Sequence, residues 1–289
     1  MLTIEIGRRH YLLYLILPHP LKMALLSPES RRRLDVINQQ FNANLYSGDG
    51  AEQYEAIHRY GDGGQQDYPS RLLVGEIWAR RGFGRALEVG AGSGYFTSLI
   101  ARRAESLVAV EPVADMQARI KARCAAEGLA NVQVVGGSAF DLEAIVPAAS
   151  LDSVLIIQSF HHLHRRDEVL ASVARVLKPG GRLFMVEPHH NIRRVVRLAR
   201  KYVTSYRSAA FQAIERNWAT HDFVTCGEIR TLCRRVGLGH VRLTGHWIPF
   251  SRLLVKDPAR RTRLEAAASR VPGVRHAASV LAIEAERLR

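Results

Sequence analysis

Residues 86–101 read Ala-Leu-Glu-Val-Gly-Ala-Gly-Ser-Gly-Tyr-Phe-Thr-Ser-Leu-Ile-Ala, and the fold can be read outward from them. Ala86 to Val89 form a short apolar run interrupted only by Glu88, the pattern of a buried strand. Gly90, Gly92 and Gly94 then alternate through a tight turn, where the backbone needs freedom that a side chain denies. Tyr95 to Arg103 carry apolar residues at helical spacing, so the turn is followed by a helix N-terminus with free N–H groups. The spacing is Glu-x-Gly-x-Gly-x-Gly rather than Gly-x-Gly-x-x-Gly, which argues against a pyrophosphate site. An acidic residue just ahead of the turn would repel a pyrophosphate and suits a cationic ligand.

Further along, Leu107 to Val110 read as a second buried strand closing on Glu111-Pro112. Glu111 lies about 20 residues beyond the turn, where nucleotide-binding α/β folds place a carboxylate on the ribose hydroxyls. A carboxylate can accept from both hydroxyls at once. A helix over 114–126 leads to a third strand, Val132 to Val135, and then to Gly136-Gly137-Ser138-Ala139-Phe140-Asp141-Leu142. Asp152 to Ile157 form a fourth strand closing on Gln158-Ser159-Phe160-His161-His162-Leu163-His164. A helix over 165–177 is stopped by Lys178-Pro179-Gly180-Gly181, and Arg182 to Val186 form a fifth strand ending in Glu187-Pro188. Strands alternating with helices predict a parallel sheet, whose ligand crevice lies at the carboxyl ends of the strands. Gln158 to His162 are therefore expected near the reacting group.

Four features occur in order across residues 86–188: the glycine turn, the acidic strand end Glu111-Pro112, the loop after the third strand, and the run Val176 to Leu183. Together they resemble the class I S-adenosylmethionine-dependent methyltransferases, of the small-molecule, ubiquinone-methyltransferase-like kind. The resemblance implies an α/β, Rossmann-like, doubly wound seven-stranded sheet with its last strand antiparallel. It implies S-adenosyl-L-methionine as cofactor and S-adenosyl-L-homocysteine as product. Glu88 would serve the amino end of the cofactor. Gly90, Ala91, Gly92, Gly94 and Tyr95 would pass under its ribose and methionine portion. Glu111, with Pro112 and Met116, would hold the ribose side. Ser138, Ala139 and Phe140 would flank the adenine, and Gln158 would lie toward the methyl group. The family usually has Gly-Asp-Ala where this chain has Ser138. Either Ser138 makes a neutral hydrogen bond to the adenine or Asp141 substitutes, while Phe140 suits its face.

Residues 1–80 read as an N-terminal helical arm and cover, and 81–289 as the methyltransferase domain with a lid insertion at about 189–220. The apolar stretch from Tyr11 to Leu26 is broken by Pro18, Pro20 and Lys22, too short to span a bilayer and without the flanks of a signal peptide. It fits a surface helix, an interfacial segment, or an arm swapped between subunits of a homo-oligomer. Residues 34–60 read as polar helix, Gly61 to Gly64 as a flexible turn, and 72–81 as a helix leading into the first strand. Tyr54, Tyr60 and Tyr68 are aromatic candidates to cover the cofactor or to pack. Within the lid, Ile192, Val195, Val196, Ala199, Tyr202, Val203, Tyr206 and Ala210 share one stripe of a helix over 192–214, with arginines around the rest. Such a helix covers an active site or lies on an anionic membrane, a peripheral contact. Tyr60, His189, His190, Tyr202 and Tyr206 are the candidate substrate contacts. A helix over 223–236, a strand over 241–244, a helix over 260–270 and a strand over 278–284 complete the sheet.

The formal net charge of +14 is unevenly placed. Residues 34–188 hold 15 Lys+Arg against 18 Asp+Glu, so the basic excess lies in residues 1–33 and after residue 188. That fits an anionic partner or merely solvated faces. The three cysteines, Cys124, Cys226 and Cys233, have no metal or redox spacing and suit a reducing cytosol, hence a cytoplasmic location.

Methyl transfer from a sulfonium requires positioning and exclusion of water, and a base only where the acceptor must lose a proton. His161 and His162 are the candidate bases, with His164, His189 and His190 on the same loops. The spacing of these histidines fits no ligand set, so no metal is expected. The function expected is methylation of a small-molecule or lipid-like acceptor in biosynthesis. An RNA methyltransferase is the alternative motivated by charge. Against it, and against a nucleic-acid partner, the segment after strand four is Gln-Ser-Phe-His-His rather than an Asn-Pro-Pro-Tyr type. A non-catalytic relative serving as a binding subunit is the third reading.

Overall fold

A computed structural model describes residues 16–31, 34, 36, 40, 43, 46–50, 52, 67–74, 78, 82–205, 207, 222–271 and 273–289. Seven strands form one sheet: β1 (Gly84–Val89), β2 (Ala104–Glu111), β3 (Val132–Gly136), β4 (Leu151–Ile157), β5 (Leu177–Pro188), β6 (Leu238–His246) and β7 (Val280–Arg287). Their spatial order is β3-β2-β1-β4-β5-β7-β6. The first five strands pair in parallel, and β7 lies antiparallel between β5 and β6. The strand order reverses between β1 and β4. In an open α/β sheet that switch point is where a ligand crevice opens, beyond the carboxyl ends of the strands.

The helices are α1 (His19–Leu25), α2 (Asp67–Val74), α3 (Tyr95–Ala101), α4 (Ala114–Ala126), α5 (Leu142–Ile145), α6 (Arg166–Val176), α7 (Ile192–Ser205), α8 (Cys226–Arg235), α9 (Ser251–Leu254), α10 (Pro258–Ala268) and α11 (Val274–Ala277). Alternate residues of each strand serve opposite layers, as the two-residue period of a strand demands. Leu87, Val154, Ile156, Leu183, Met185 and Ile283 face a core shared with Val169, Leu170 and Val173 of α6 and Ile229 and Cys233 of α8. Ala86, Leu155, Ile157, Phe184 and Val186 face the other way, onto Leu72 and Leu73 of α2 and Phe96 and Ile100 of α3.

Three expectations change. Strands β5, β6 and β7 run longer than their apolar centres because ladder pairing continues into polar ends, as in Arg182↔Glu286 and Arg242↔Glu284. Helix α8 begins at Cys226, three residues later than its apolar pattern. Thr225 accepts from the Glu228 N–H while the Glu228 carboxylate accepts from the Thr225 N–H, and this capping box fixes the start. The apolar stripe of α7 does not all turn inward. Arg194 and Leu198 are the buried positions, and Ile192, Val196 and Val203 stand 70%, 60% and 81% exposed. Arg194 turns in because its guanidinium lies 3.7 Å from the Phe223 ring centroid.

The N-terminal arm is clasped to its own chain. His19 Nδ1 lies 2.8 Å from Asp222 Oδ2, and Lys22 pairs with the other carboxylate oxygen, all fully or nearly fully buried. Arg166 donates to the Asp222 carbonyl and pairs with Glu228 at 2.6 Å. Burial lowers the Lys22 pKa, and the neighbouring cations hold Asp222 well below the usual carboxylate range despite its own burial. The arm is thus joined to Asp222, just before α8. Among the described residues, no helix is long and apolar enough to cross a membrane.

Candidate active site

The glycine turn sits at the carboxyl end of β1 with Gly90, Gly92 and Gly94 at φ 71°, 56° and 82°. This is the left-handed region that side chains resist. Two of the three glycines are also required by contact inside the protein. A Cβ on Gly90 would lie 2.7 Å from the Ser159 Cβ, and one on Gly94 would lie 3.0 Å from the Ile120 Cα. Ser159 in turn donates its hydroxyl to the Val89 carbonyl at 2.7 Å. The turn after β1 and the loop after β4 are therefore one packed unit across the switch point.

Two carboxylates lie under and beside this turn. Glu88 is 1% exposed, and its Oε2 accepts the Thr97 hydroxyl of α3 at 2.6 Å. Burial pushes its pKa up to about 8; the Thr97 hydrogen bond opposes the rise and the charge of Glu111 adds to it. Glu111, at the end of β2, accepts the Gly92 N–H at 2.8 Å on Oε2 and the Val113 N–H at 3.0 Å on Oε1. Burial raises it to about 6 against those two N–H donors. Each Glu111 oxygen keeps a second lone pair, so the group is an acceptor suited to a vicinal diol. Two buried carboxylates with raised pKa values are also what a nearby cation would stabilise. The chemistry of the pair fits a cofactor carrying a ribose and positive charge.

The remaining expected cofactor residues are distributed as follows. Ala91 is buried against Ala109, Ile120 and Cys124, and Ala139 against the core between β1 and α6. Pro112 is exposed, and Met116 is buried with Val113. Tyr95 is half-buried with its hydroxyl 3.5 Å from Ser70 Oγ. Ser138 accepts the Phe140 N–H at 3.3 Å, and Asp141 is exposed. One face of Phe140 carries the Arg165 guanidinium, 4.0 Å from the ring centroid. Gln158 has φ 54°, a left-handed conformation rare for a side chain of its size, and its N–H is held by the Val186 carbonyl at 2.8 Å.

The loop after β4 is organised by a residue that the sequence marks only as the end of a strand. Glu187, fully buried at the end of β5, accepts backbone N–H groups of Ser159, Phe160 and His161. Its Oε2 also lies 2.7 Å from His161 Nδ1. With a carboxylate at Nδ1, the neutral ring carries its proton there and leaves Nε2 as the basic nitrogen. His162 lies beside His161 with the rings tilted by 39° and centroids 4.2 Å apart, and it meets Tyr46 edge-on at 6.4 Å.

The other candidate histidines of these loops, His164, His189 and His190, are turned into the protein. His164 is buried, and burial lowers it to about 3. His189 is 3% exposed and its Nδ1 contacts the Ala278 carbonyl at 2.9 Å; burial lowers it to about 4. His190, half-buried, pairs with Arg194 at 2.9 Å and is also lowered to about 4, first by burial. Groups so weakly basic are poor bases near neutrality.

Of the aromatic cover, Tyr60, Tyr54 and Tyr206 lie outside the described residues, and Tyr202 is half-buried on α7. Tyr68 is fully buried and its hydroxyl donates to Glu265 Oε2 at 2.5 Å, a packing role. Among the described residues before β1, Tyr46 reaches the site, packed on Val113 and Met116 and facing His162. The neighbouring Gly48 N–H donates to Asp115 at 2.8 Å and fixes that segment over α4. No spacing rule singled out Tyr46.

Sheet order, glycine turn and strand-end carboxylates define a Rossmann-like methyltransferase fold. Residues 87–185 match the family model described as "Methyltransferase domain", which supports a class I S-adenosylmethionine-dependent methyltransferase. It is 33% identical over 124 residues to protein-L-isoaspartate O-methyltransferase 1 of Rhodopseudomonas palustris, covering 43% of this chain and 47% of that protein. It is 30% identical over 153 residues to 27-O-demethylrifamycin SV methyltransferase of Amycolatopsis mediterranei, covering 52% of this chain and 53% of the other. The chain thus spans about half the length of the curated relatives it matches. The phosphoethanolamine N-methyltransferase 2 structure from Haemonchus contortus, in complex with S-adenosyl-L-methionine, superposes with a TM-score of 0.60 at 16% identity. That superposition covers 88% of this chain and 60% of that one, and it shows the shared fold.

Proposed function

We propose that the protein transfers a methyl group from S-adenosyl-L-methionine to a small-molecule or lipid-like acceptor. The observation that carries this reading is the Glu111 carboxylate held by the Gly92 N–H at the switch point, with Glu88 buried beneath the same turn. When bound, the cofactor supplies an electrophilic methyl group on a sulfonium. Glu111 would hold the ribose hydroxyls, and the glycine turn would lie against the ribose and methionine portion. The loop from Gln158 to His162 would face the acceptor. For an acceptor that must lose a proton, His161 would take it on Nε2, with Glu187 orienting the ring and stabilising the charge that results.

A small or lipid-like acceptor is supported by one relative being a rifamycin-type methyltransferase by name. It is supported too by α7, which sets exposed Ile192, Val196 and Val203 beside Arg193, Arg197 and Arg200. A basic helix with an outward apolar row suits an anionic membrane surface, from which a lipid-like acceptor could be drawn.

The test is calorimetric titration with S-adenosyl-L-methionine and S-adenosyl-L-homocysteine, followed by transfer of labelled methyl to a panel of phenolic, hydroxylated, amine and isoprenoid acceptors. Saturable one-to-one binding of both compounds and label in an organic-soluble product are expected. No binding would leave a non-catalytic relative. Label in RNA, lost steeply with salt, would replace the acceptor class.

A further inference from the structure

Three ligand-type side chains far apart in sequence converge beside the carboxyl end of β5. They are His189, just after β5; Cys226, the first residue of α8; and His276, within α11. One donor atom from each lies within 4.8 Å of the other two. His189 Nε2 lies 3.9 Å from Cys226 Sγ. Tetrahedral Zn²⁺ with its usual Zn–S and Zn–N lengths places those two atoms about 3.6 Å apart, so a few tenths of an ångström closes that pair, and the His276 donor, within 4.8 Å of both, would close by up to about 1.5 Å.

The surroundings fit the same purpose. His189 Nδ1 lies 2.9 Å from the Ala278 carbonyl, an acceptor that requires the Nδ1–H tautomer. Nε2 is then the lone-pair nitrogen, and it is the one turned to the cysteine. A ring nitrogen anchored to a carbonyl while the other binds is the usual outer support of a metal-bound histidine. Asn191 donates to the same carbonyl at 2.6 Å, which fixes that anchor further. His189 and Cys226 are buried and His276 is exposed, so the site is held from inside and open to solvent on one side. Arg275 brings a positive charge close by, and its guanidinium is directed to the Leu243 carbonyl at 3.3 Å.

We propose that His189, Cys226 and His276 form a Zn²⁺ site with one protein-free position, filled by water. One thiolate and two imidazoles suit Zn²⁺ by donor softness, and three protein ligands leave the fourth place open. Binding releases the Cys226 thiol proton to solvent, and neither the metal nor the protein changes oxidation state. The ion ties β5, α8 and α11 together beside the acceptor side of the crevice. A second cluster of the same composition class, His19, His164 and Asp222, is not such a site. Both Asp222 oxygens are engaged by His19 and Lys22, and Arg166 adds further positive charge there.

The experiment uses the whole chain, stripped of metal with a chelator and titrated with Co²⁺. The expected result is a near-ultraviolet thiolate-to-cobalt charge-transfer band with visible bands of tetrahedral strength, saturating at one equivalent and displaced by Zn²⁺. His276→Ala, an exposed position whose folding is checked by circular dichroism, should weaken Co²⁺ binding at least tenfold. Cys226→Ser should abolish the charge-transfer band, and His164→Ala should leave it intact. Folded wild-type protein without the band at one equivalent of Co²⁺ would overturn the proposal. So would a band that persists in Cys226→Ser, or binding unchanged in His276→Ala.

Discussion

His161 Nδ1 and Glu187 Oε2 are 2.7 Å apart across the carboxyl ends of two neighbouring strands, β4 and β5. Glu187 also binds three backbone N–H groups of the same loop, so one buried carboxylate fixes both the loop and the ring. Glu187→Gln keeps the shape and one acceptor oxygen but removes the charge that supports a protonated imidazole. If His161 acts as base, turnover should fall by about 10²-fold or more while affinity for S-adenosyl-L-homocysteine stays within a few-fold. Single-turnover methyl transfer and calorimetry separate the two. Equal losses in both would make Glu187 a purely structural residue.

Glu111 should carry much of the cofactor affinity. Its replacement by alanine removes a charged acceptor, at about 1.5–3 kcal/mol, or roughly 10- to 150-fold in Kd. Because Glu111 also accepts the Gly92 and Val113 N–H groups, the same variant should lose thermal stability in the absence of ligand. Glu111→Gln separates the contributions, retaining an oxygen for one N–H. Unchanged affinity in both variants would mean that the ribose is held elsewhere.

Glu88 predicts a pH dependence whose sign follows from its environment. Its carboxyl is raised from 4.5 to about 8 by burial, so the folded state favours the protonated form. Stability from that preference is fully present below about pH 4.5 and is lost as pH rises toward 8. Glu88→Gln, isosteric with the protonated acid and able to accept from Thr97, should therefore stabilise the ligand-free protein at pH 8 and change little at pH 5. If a cationic cofactor group restores the carboxylate, its binding to wild type at pH 7 should release a fraction of a proton that Glu88→Gln does not release. Calorimetry in buffers of different ionisation enthalpy reads this directly. Equal proton release in both proteins would show that Glu88 stays protonated.

How far these features could be read from the chain depends on how far apart their parts lie. The strands from β1 to β5 were legible because each is a short apolar run between turn residues, and the glycine turn with Glu111 announced the switch point. Lys22 and Asp222, by contrast, are 200 residues apart, and no local pattern reveals a pair of that kind. Glu187 looked like a strand end because its role depends on N–H groups 26 to 28 residues earlier. His189, Cys226 and His276 have no motif spacing, since β5, α8 and α11 bring them together only in three dimensions. Helix α7 misled for another reason. Its apolar positions form two rows on one broad stripe, and a stripe cannot tell which row faces the protein when an arginine can turn inward onto Phe223.

The Lys22–Asp222 pair should anchor the arm. Removing one member of a buried ion pair strands the other, at a cost of about 3–5 kcal/mol. Asp222→Ala should therefore lower the melting temperature markedly and increase hydrogen exchange over residues 19–25. Lys22→Met with Asp222→Asn, which removes both charges, should recover part of the loss. Protection of residues 19–25 equal to wild type in Asp222→Ala would show that packing alone holds α1.

The outward row of α7 predicts binding to an anionic lipid surface. Ile192, Val196 and Val203 are exposed, with Arg193, Arg197 and Arg200 alongside them, so insertion of the row and attraction of the arginines act together. Sedimentation with vesicles containing phosphatidylserine should retain the protein at low salt and release most of it at 0.5 M salt, where the screening length drops well below that at about 0.1 M. Val196→Asp places a charge in the inserted row and should weaken vesicle binding by about tenfold or more, while leaving S-adenosyl-L-homocysteine affinity unchanged. Neutral vesicles should bind poorly in either case. Equal binding of wild type and Val196→Asp to anionic vesicles would transfer the contact to the other basic regions of the chain, and the apolar row would have no part in it.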